Sequence, residues 1–382
     1  MKFFHISDLH IGKNVNGFSM LGEQKNAFKQ MIGYIRAERP AVIIIAGDVY
    51  DRAIPSVEAV RLFDDLLTAL FREEVAVMLI SGNHDSPERL SYANRLLADK
   101  RIFLTGTFNG RARKITLNDE HGEIHFWLLP FIKPSVIRGL FANKEIESYS
   151  EAVAAALETA KIDYSARNVL VSHQFYTKAG VLPLRSESEL NPVGGLDAVD
   201  AGLIERFDYV ALGHLHGGQS VGSPHIRYGG SPLKYSFSEW RQEKSVTVVE
   251  LGKKHSLNIR LLPLKPLHEM REIKGELEKL TSDAAFRSAD TEDYLRVILI
   301  DEDEIIDPLG KLRSVYPNIM SLGFENSRLS VDLNAITADT ETIEKLSPYD
   351  LFGEFFLDAQ GATMSKEQAA IVLELLQGEE EV

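Results

Sequence analysis

The chain contains no cysteine. That excludes a disulfide framework, a thiolate metal site and a thiol nucleophile, and it fits a reducing compartment. Long apolar runs are also missing: none approaches the roughly 20 residues needed to span a bilayer. Met1-Lys2-Phe3-Phe4-His5 leads straight into a strand pattern without the apolar core of a signal peptide. These absences together predict a soluble, cytoplasmic protein with no membrane association. Basic charge is short as well, with 42 Lys plus Arg against 56 Asp plus Glu in 382 residues and a net charge of −14. Phosphate neutralisation favours basic proteins, so broad contact with nucleic acid is disfavoured and any DNA-binding surface has to be local. Part of the acidity lies near the C-terminus, in Asp301-Glu302-Asp303-Glu304 and Glu379-Glu380-Glu381. Other carboxylates stand where bound cations would offset them.

The composition, 44% hydrophobic and 26% charged, is that of a globular chain with ample core, and the length suggests two or three domains. The first half alternates strand and helix. Phe3–Ser7, Ala41–Ala46 and Val75–Ile80 read as buried strands. Gln24–Glu38 and Val57–Arg72 carry apolar residues at helical spacing. This rhythm implies right-handed crossovers and a parallel sheet. Further strands are expected at Ile124–Leu129, Val169–Val171, Tyr209–Leu212, Ile226–Tyr228 and Val246–Leu251, the last few antiparallel. The expected fold is α/β: a sandwich of two mixed sheets flanked by helices over residues 1–265. Pro263, Pro266 and a shift to charged sequence open a small α+β unit at 266–337. There Lys274–Leu280 and Pro308–Tyr316 read as helices, Tyr294–Ile300 and Ser330–Leu333 as strands. Residues 338–382 read as a polar linker and two amphipathic helices. The first carries Leu351, Phe352, Phe355 and Phe356. The second starts at Ser365, with Gln368 completing a capping box.

Five short motifs carry the chemistry: Asp8-Leu9-His10, Gly47-Asp48 followed by Asp51, Gly82-Asn83-His84-Asp85, Ser172-His173 and Gly213-His214-Leu215-His216. Each follows an apolar strand run, and ligands collect at the C-terminal ends of such strands. Adjacent strands would therefore bring Asp8, Asp48 and Asn83 to one edge. A carboxylate can give one oxygen to each of two ions, which makes Asp48 the natural bridge. Asp8 and His10, at i and i+2 in a loop, can turn toward one ion, and His214 with His216 repeats the spacing. Asn83 adds a neutral oxygen. An O and N ligand set without sulfur favours Mn, Fe or Zn in a five- or six-coordinate site. Two such ions can activate the attacking oxygen and stabilise both oxygens of an in-line phosphoryl displacement. His84 is left over after the ligand count. It can stabilise the transition state or protonate the leaving oxygen, with Asp85 fixing its orientation.

With these motifs in order, the chain resembles the calcineurin-like metallophosphoesterases. It resembles more closely their bacterial SbcD-type nuclease subunits, through SDLHIGK (Ser7–Lys13), GDVYDRAIPS (Gly47–Ser56), SESELNPVGGLDAV (Ser186–Val199), YGGSPLKYSFSEWRQEKSV (Tyr228–Val246) and SPYDLFGEFF (Ser347–Phe356). The resemblance implies one metal held by Asp8, His10, Asp48 and His216, and a second held by Asp48, Asn83, His173 and His214, both Mn2+. It implies His84 as the catalytic non-ligand and gives Asp51 no chemical role. It further implies a manganese-dependent double-strand exonuclease and single-strand endonuclease of DNA repair, acting on DNA ends and hairpins. The partner would be SbcC, an SMC-like coiled-coil ATPase, bound by the C-terminal helices. Residues 266–337 would be a capping domain. A homodimer would form through Val57–Arg72 and Pro87–Leu97. The rival enzyme reading, a calcineurin-like phosphatase or nucleotide phosphodiesterase, uses the same ligands but does not account for the GSP-x-x-x-SF-x-E stretch.

Overall fold

The computed structural model describes residues 1–141, 144–178, 180–189, 197–282, 290–303, 305–325, 349, 352–353, 356–357 and 363–378. The chain divides into two compact units, Met1–Met270 and Arg271–Val382.

The first unit is built on two six-stranded sheets. One runs Leu257–Pro263, Ser245–Leu251, Lys2–Ile6, Val42–Ala46, Ala76–Ile80, Ile102–Thr105. Its last four strands are parallel and its first two antiparallel. The other runs Gln219–Val221, Ser223–Tyr228, Tyr209–Leu212, Arg167–Ser172, Gly122–Leu129, Arg113–Asp119. It is parallel in its centre and antiparallel at both edges. Strand alternation sorts the side chains into layers. Phe3, Val42, Ile44, Met78 and Ile80 face Phe126, Leu128, Val169, Val171 and Tyr209 in the core between the sheets. The opposite side of the first sheet packs Phe4, Ile43, Ile45, Val77 and Leu79 against two helices. The opposite side of the second packs Trp127, Leu129, Leu170 and Val210 against a third, Tyr149–Ala160. Burial on both faces explains why strands such as Val42–Ala46 (VIIIA) are continuously apolar.

The helix Val57–Arg72 begins where Ser56 accepts from the Ala59 amide, and it buries Ala59, Phe63, Leu66 and Leu70 along one stripe. The helix Leu21–Glu38 does the same with Ala27, Phe28, Met31 and Ile35. The crossovers thus lie where the periodicity puts them. One expectation fails in this unit. Tyr209–Leu212 and Ser223–Tyr228 are parallel, not antiparallel, because the edge strand Gln219–Val221 intervenes and the chain reverses twice.

The second unit carries a three-stranded sheet of Met270–Gly275, Tyr294–Leu299 and Ile319–Phe324 around Leu295, Val297, Leu299, Leu312 and Tyr316. The helix expected at Lys274–Leu280 is mostly absent. Met270–Gly275 is a strand that packs Ile273 on this core, and only Leu277–Leu280 is helical. Pro308–Arg313 is a shorter helix than expected. The expected strand Ser330–Leu333 and the linker 338–345 lie outside the described residues. The helix Lys366–Gly378 is present, and Ser365 and Gln368 exchange both bonds of a capping box. Of the preceding aromatic segment, Phe355 lies outside the described residues. Among the described residues no helix is long and apolar enough to cross a membrane.

Candidate metal centre

All five motifs meet at the C-terminal ends of the central strands, in the first unit. Their loops are laced by the backbone: the Asp8 amide donates to Gly47 O, the His10 amide to Asp48 O, and the Gly213 amide to Ser172 O. The turns are sharp. Asp8, His10, Asp48 and His214 all have positive φ, at 52°, 43°, 49° and 104°. Each such residue costs on the order of 1–3 kcal/mol, strain that persists only where the surroundings over-determine it. Three glycines make the convergence possible. A Cβ on Gly47 would overlap His173 Nδ1, one on Gly82 would overlap Asp48 Oδ1, and one on Gly213 would overlap the Ala46 carbonyl and lie 2.6 Å from His173 Nδ1.

The side chains, buried except for the half-buried Asn83, His84 and His214, converge at short range. His10 Nε2 lies 3.1 Å from His216 Nε2 and 3.6 Å from Asp48 Oδ2. His173 Nε2 lies 3.3 Å from Asp48 Oδ2, 3.2 Å from Asn83 Oδ1 and 4.0 Å from Asp8 Oδ1. His214 Nδ1 lies 3.0 Å from Asn83 Oδ1, while its amide donates to Asp8. Asp8 with His10 and His216, His10 with Asp48 and His84, and Asp8 with Asp48 and His173 each form a group of ligand atoms within 4.8 Å of one another. Asp8, His10 and Asp48 each belong to two of these groups, so the groups make one continuous site.

The electrostatics reflect crowding in a dry site. Burial lowers His10 to about 4. Burial and the neighbouring His173 charge lower His214 to about 3. For His173 burial pulls down, but Asp48 and Asp8 outweigh it and raise the imidazole to about 9. Burial raises Asp8 to about 6, whereas Asp48, although buried, is lowered by His173 and His10. The donor set suits divalent cations. His173 Nδ1 donates to Ala46 O at 2.7 Å, which leaves the lone pair of Nε2 available to a cation. His10 and His216 turn their Nε2 atoms toward each other, an arrangement that a cation between them relieves.

The structure corrects one role. Asp85 does not orient the His84 ring. Its oxygens accept from the amides of Val49, Tyr50 and Gly82, so it ties the Asn83 loop to the Asp48 loop. The His84 ring is held by Asp51, whose carbonyl accepts from Nδ1 at 3.0 Å. Asp51, given no part from sequence, also places its carboxylate 3.6 Å from His10 Nδ1 and 2.8 Å from Lys13 Nζ. Sequence reasoning likewise passed over Ser188, Glu189 and Glu239, which all bond to His216. Their only signal was membership of the subfamily stretches. His5 is a structural residue, as expected. It bonds Tyr209 Oη and Leu212 O, and burial lowers it to about 3. A cavity of about 470 Å3 opens beside the centre, lined by Asn83, Asp85, Phe108, Phe131, Lys133 and Ile137 among others.

Comparison with known proteins gives the family. The profile of the Calcineurin-like phosphoesterase family matches residues 1–218, so the chain belongs to that family. The Type 5 capsule protein repressor C-terminal domain matches residues 266–360. Two relatives, each the D subunit of the nuclease SbcCD, align over nearly the whole chain. The one from Staphylococcus epidermidis is 34% identical over 90% of this chain and 91% of its own length. The one from Staphylococcus saprophyticus is 31% identical over 97% and 96%. Within its family the chain is thus an SbcD-type nuclease subunit, a metal-dependent phosphoesterase. Among solved structures, a dimetal phosphatase from Danio rerio covers 70% of this chain and 99% of its own, at 12% identity and a TM-score of 0.41.

The glycine packing gives a direct test. Gly213→Ala is expected to push the Ala46 carbonyl and the His173 ring apart and to lower both the melting temperature and the metal content, read by calorimetry and elemental analysis. Unchanged values for both would show that the loops do not need this close approach.

Proposed function

We propose that this chain is a manganese-dependent DNA phosphodiesterase. It acts as an exonuclease on double-stranded ends and an endonuclease on single strands and hairpins, in complex with an SbcC-type ATPase. The observation that carries the reading is the place of Asp48. One oxygen, Oδ2, faces both His10 and His173, so the carboxylate stands between the two ligand groups. Asp8, His10, Asp48 and His216 would hold one ion, and Asp48, Asn83, His173 and His214 the other. Bound cations would lower the pKa of the attacking water and stabilise the charge of an in-line displacement.

The chain's own residues do the rest. Asp48 accepts from the His84 amide at 2.9 Å and so ties the bridge to the catalytic residue. The bond from His84 Nδ1 to the Asp51 carbonyl leaves Nε2 as the nitrogen that meets the phosphate or the leaving oxygen. Asp85 supports by holding both loops. Nothing in this arrangement needs a broadly basic protein, because the cations themselves attract the phosphate.

Residues 1–265 would form the nuclease domain and 266–337 a capping domain. The helices within 338–382 would contact the base of the ATPase coiled coil, a role supported by the exposure of Ile371 and Leu373. A two-fold dimer through Val57–Arg72 and Pro87–Leu97 is supported by the exposure of Val57, Val60, Tyr92 and Leu96, large apolar side chains on or beside the named segments.

Four outcomes are expected. Asp48→Ala should lose both ions by elemental analysis, and two retained ions would overturn the bridge. His84→Ala should keep two ions and DNA binding but cleave linear DNA at least roughly 10²-fold slower. Loss of metal together with activity would instead make His84 a ligand. In sedimentation the protein should run as a dimer, and removal of residues 347–382 should spare the dimer and cleavage but abolish comigration with the ATPase. A monomer, or undiminished comigration, contradicts the corresponding assignment.

A further inference from the structure

Behind His216 lies a buried polar cluster that the phosphodiester chemistry above does not use. Glu239 is fully buried, and so is nearly all of Lys244; they pair at 2.6 Å between Nζ and Oε2. Lys244 Nζ is further held by His216 O at 2.8 Å, Ser231 Oγ at 3.0 Å and Gln242 Oε1 at 2.8 Å. The other Glu239 oxygen, Oε1, accepts from Ser188 Oγ at 2.6 Å and from Ser236 Oγ at 3.3 Å, and lies 3.2 Å from His216 Nδ1. Ser188 Oγ is itself 2.7 Å from His216 Nδ1. Removing charges from water this completely is costly unless geometry and further bonds compensate, and here the compensating bonds run to the loops around His216.

The proton count fixes a direction. Glu239 can only accept, so the Ser188 hydroxyl spends its hydrogen on Oε1. Its oxygen can then only accept from His216, which requires a hydrogen on Nδ1. Nε2, the nitrogen 3.1 Å from His10 Nε2, is left with its lone pair. Without Glu239 the same hydroxyl could turn and donate to Nδ1, and the hydrogen would move to Nε2, where it blocks a ligand bond.

We infer that Glu239 is a positioning residue for the metal centre: through Ser188 it holds His216 in the tautomer that offers Nε2 to a cation. A carboxylate behind a ligating imidazole also raises the basicity of that ligand. This gives a physical function to the final Glu of the GSP-x-x-x-SF-x-E stretch. The inference rests on the two-cation reading, and binding of two Mn2+ by the unaltered protein is the control that tests that reading separately.

The test replaces the ion pair as a unit, so that no unpaired charge is left buried. In Glu239→Leu with Lys244→Met, titration with Mn2+ followed by electron paramagnetic resonance should show one ion bound as before and one weakened about 10- to 100-fold. Glu239→Gln with Lys244→Met, which keeps an acceptor oxygen, should recover most of that loss. Should the double variant fail to fold, Ser188→Ala leaves the ion pair intact and should weaken the same ion by at least about threefold. Unchanged affinity for both ions in a folded variant would overturn the inference. So would an equal loss at both sites accompanied by a lower melting temperature, because that is the mark of a merely structural pair.

Discussion

Of the hydrogen bonds that join the two halves of the centre, one fixes the placing of His173. His173 follows a strand of the second sheet, and its Nδ1 donates at 2.7 Å to the carbonyl of Ala46, the last residue of a strand in the first. The bond can form only because Gly47 and Gly213 have no Cβ to keep the loops apart. It fixes the His173 tautomer and brings Nε2 within reach of Asp48 and Asn83. The flanking loops then have little freedom, and four ligand candidates take up left-handed backbone conformations. The layered cores around the sheets supply the rigidity that sustains this strain.

Charge is the second constraint. Asp8 and Asp48 are buried side by side among four histidines, and burial opposes every charge in the group. The pKa directions show the compromise: Asp8 up, Asp48 down, His173 up, His10 and His214 down. Two divalent cations would satisfy the same oxygens and nitrogens without that uneven sharing. The outer groups are arranged accordingly. Asp51 stands by His10, Glu239 by His216, and Asp85 holds the loops through three amides. Of these three carboxylates only Asp51 stands beside an exposed cation, Arg52, in addition to Lys13.

Much of this was legible in the sequence, for identifiable reasons. Strands buried on both faces are continuous apolar runs, so Val42–Ala46 and Ala76–Ile80 stood out, and so did the residues that follow them. The edge strand Arg113–Asp119 was missed because one side of it is exposed and polar, and Leu257–Pro263 because its exposed residues, Asn258, Leu261 and Pro263, follow no strict alternation. Ile102–Thr105 was too short to carry a period. The helix Tyr149–Ala160 went unread although Ser148 and Glu151 form its capping box, a signal present in the sequence. The ligand candidates were readable because each sits beside its strand. Glu239 and Ser188 were not, because they reach His216 from segments more than 20 residues away in sequence, and no local pattern encodes that meeting. Asp85 was misread for a related reason. Adjacency to His84 suggested a ring contact, but successive residues in a tight loop point apart, and Asp85 turned to the backbone.

The central claim is that the converging motifs form one site for two cations with Asp48 between them. Anomalous diffraction from crystals grown with Mn2+ tests it most directly. The account predicts two peaks about 3.5–4 Å apart, one against His10 and His216, the other against Asn83, His173 and His214, with the Asp48 carboxylate touching both and His84 touching neither. A single peak, or two peaks with His84 as a ligand in place of Asp48, would contradict it.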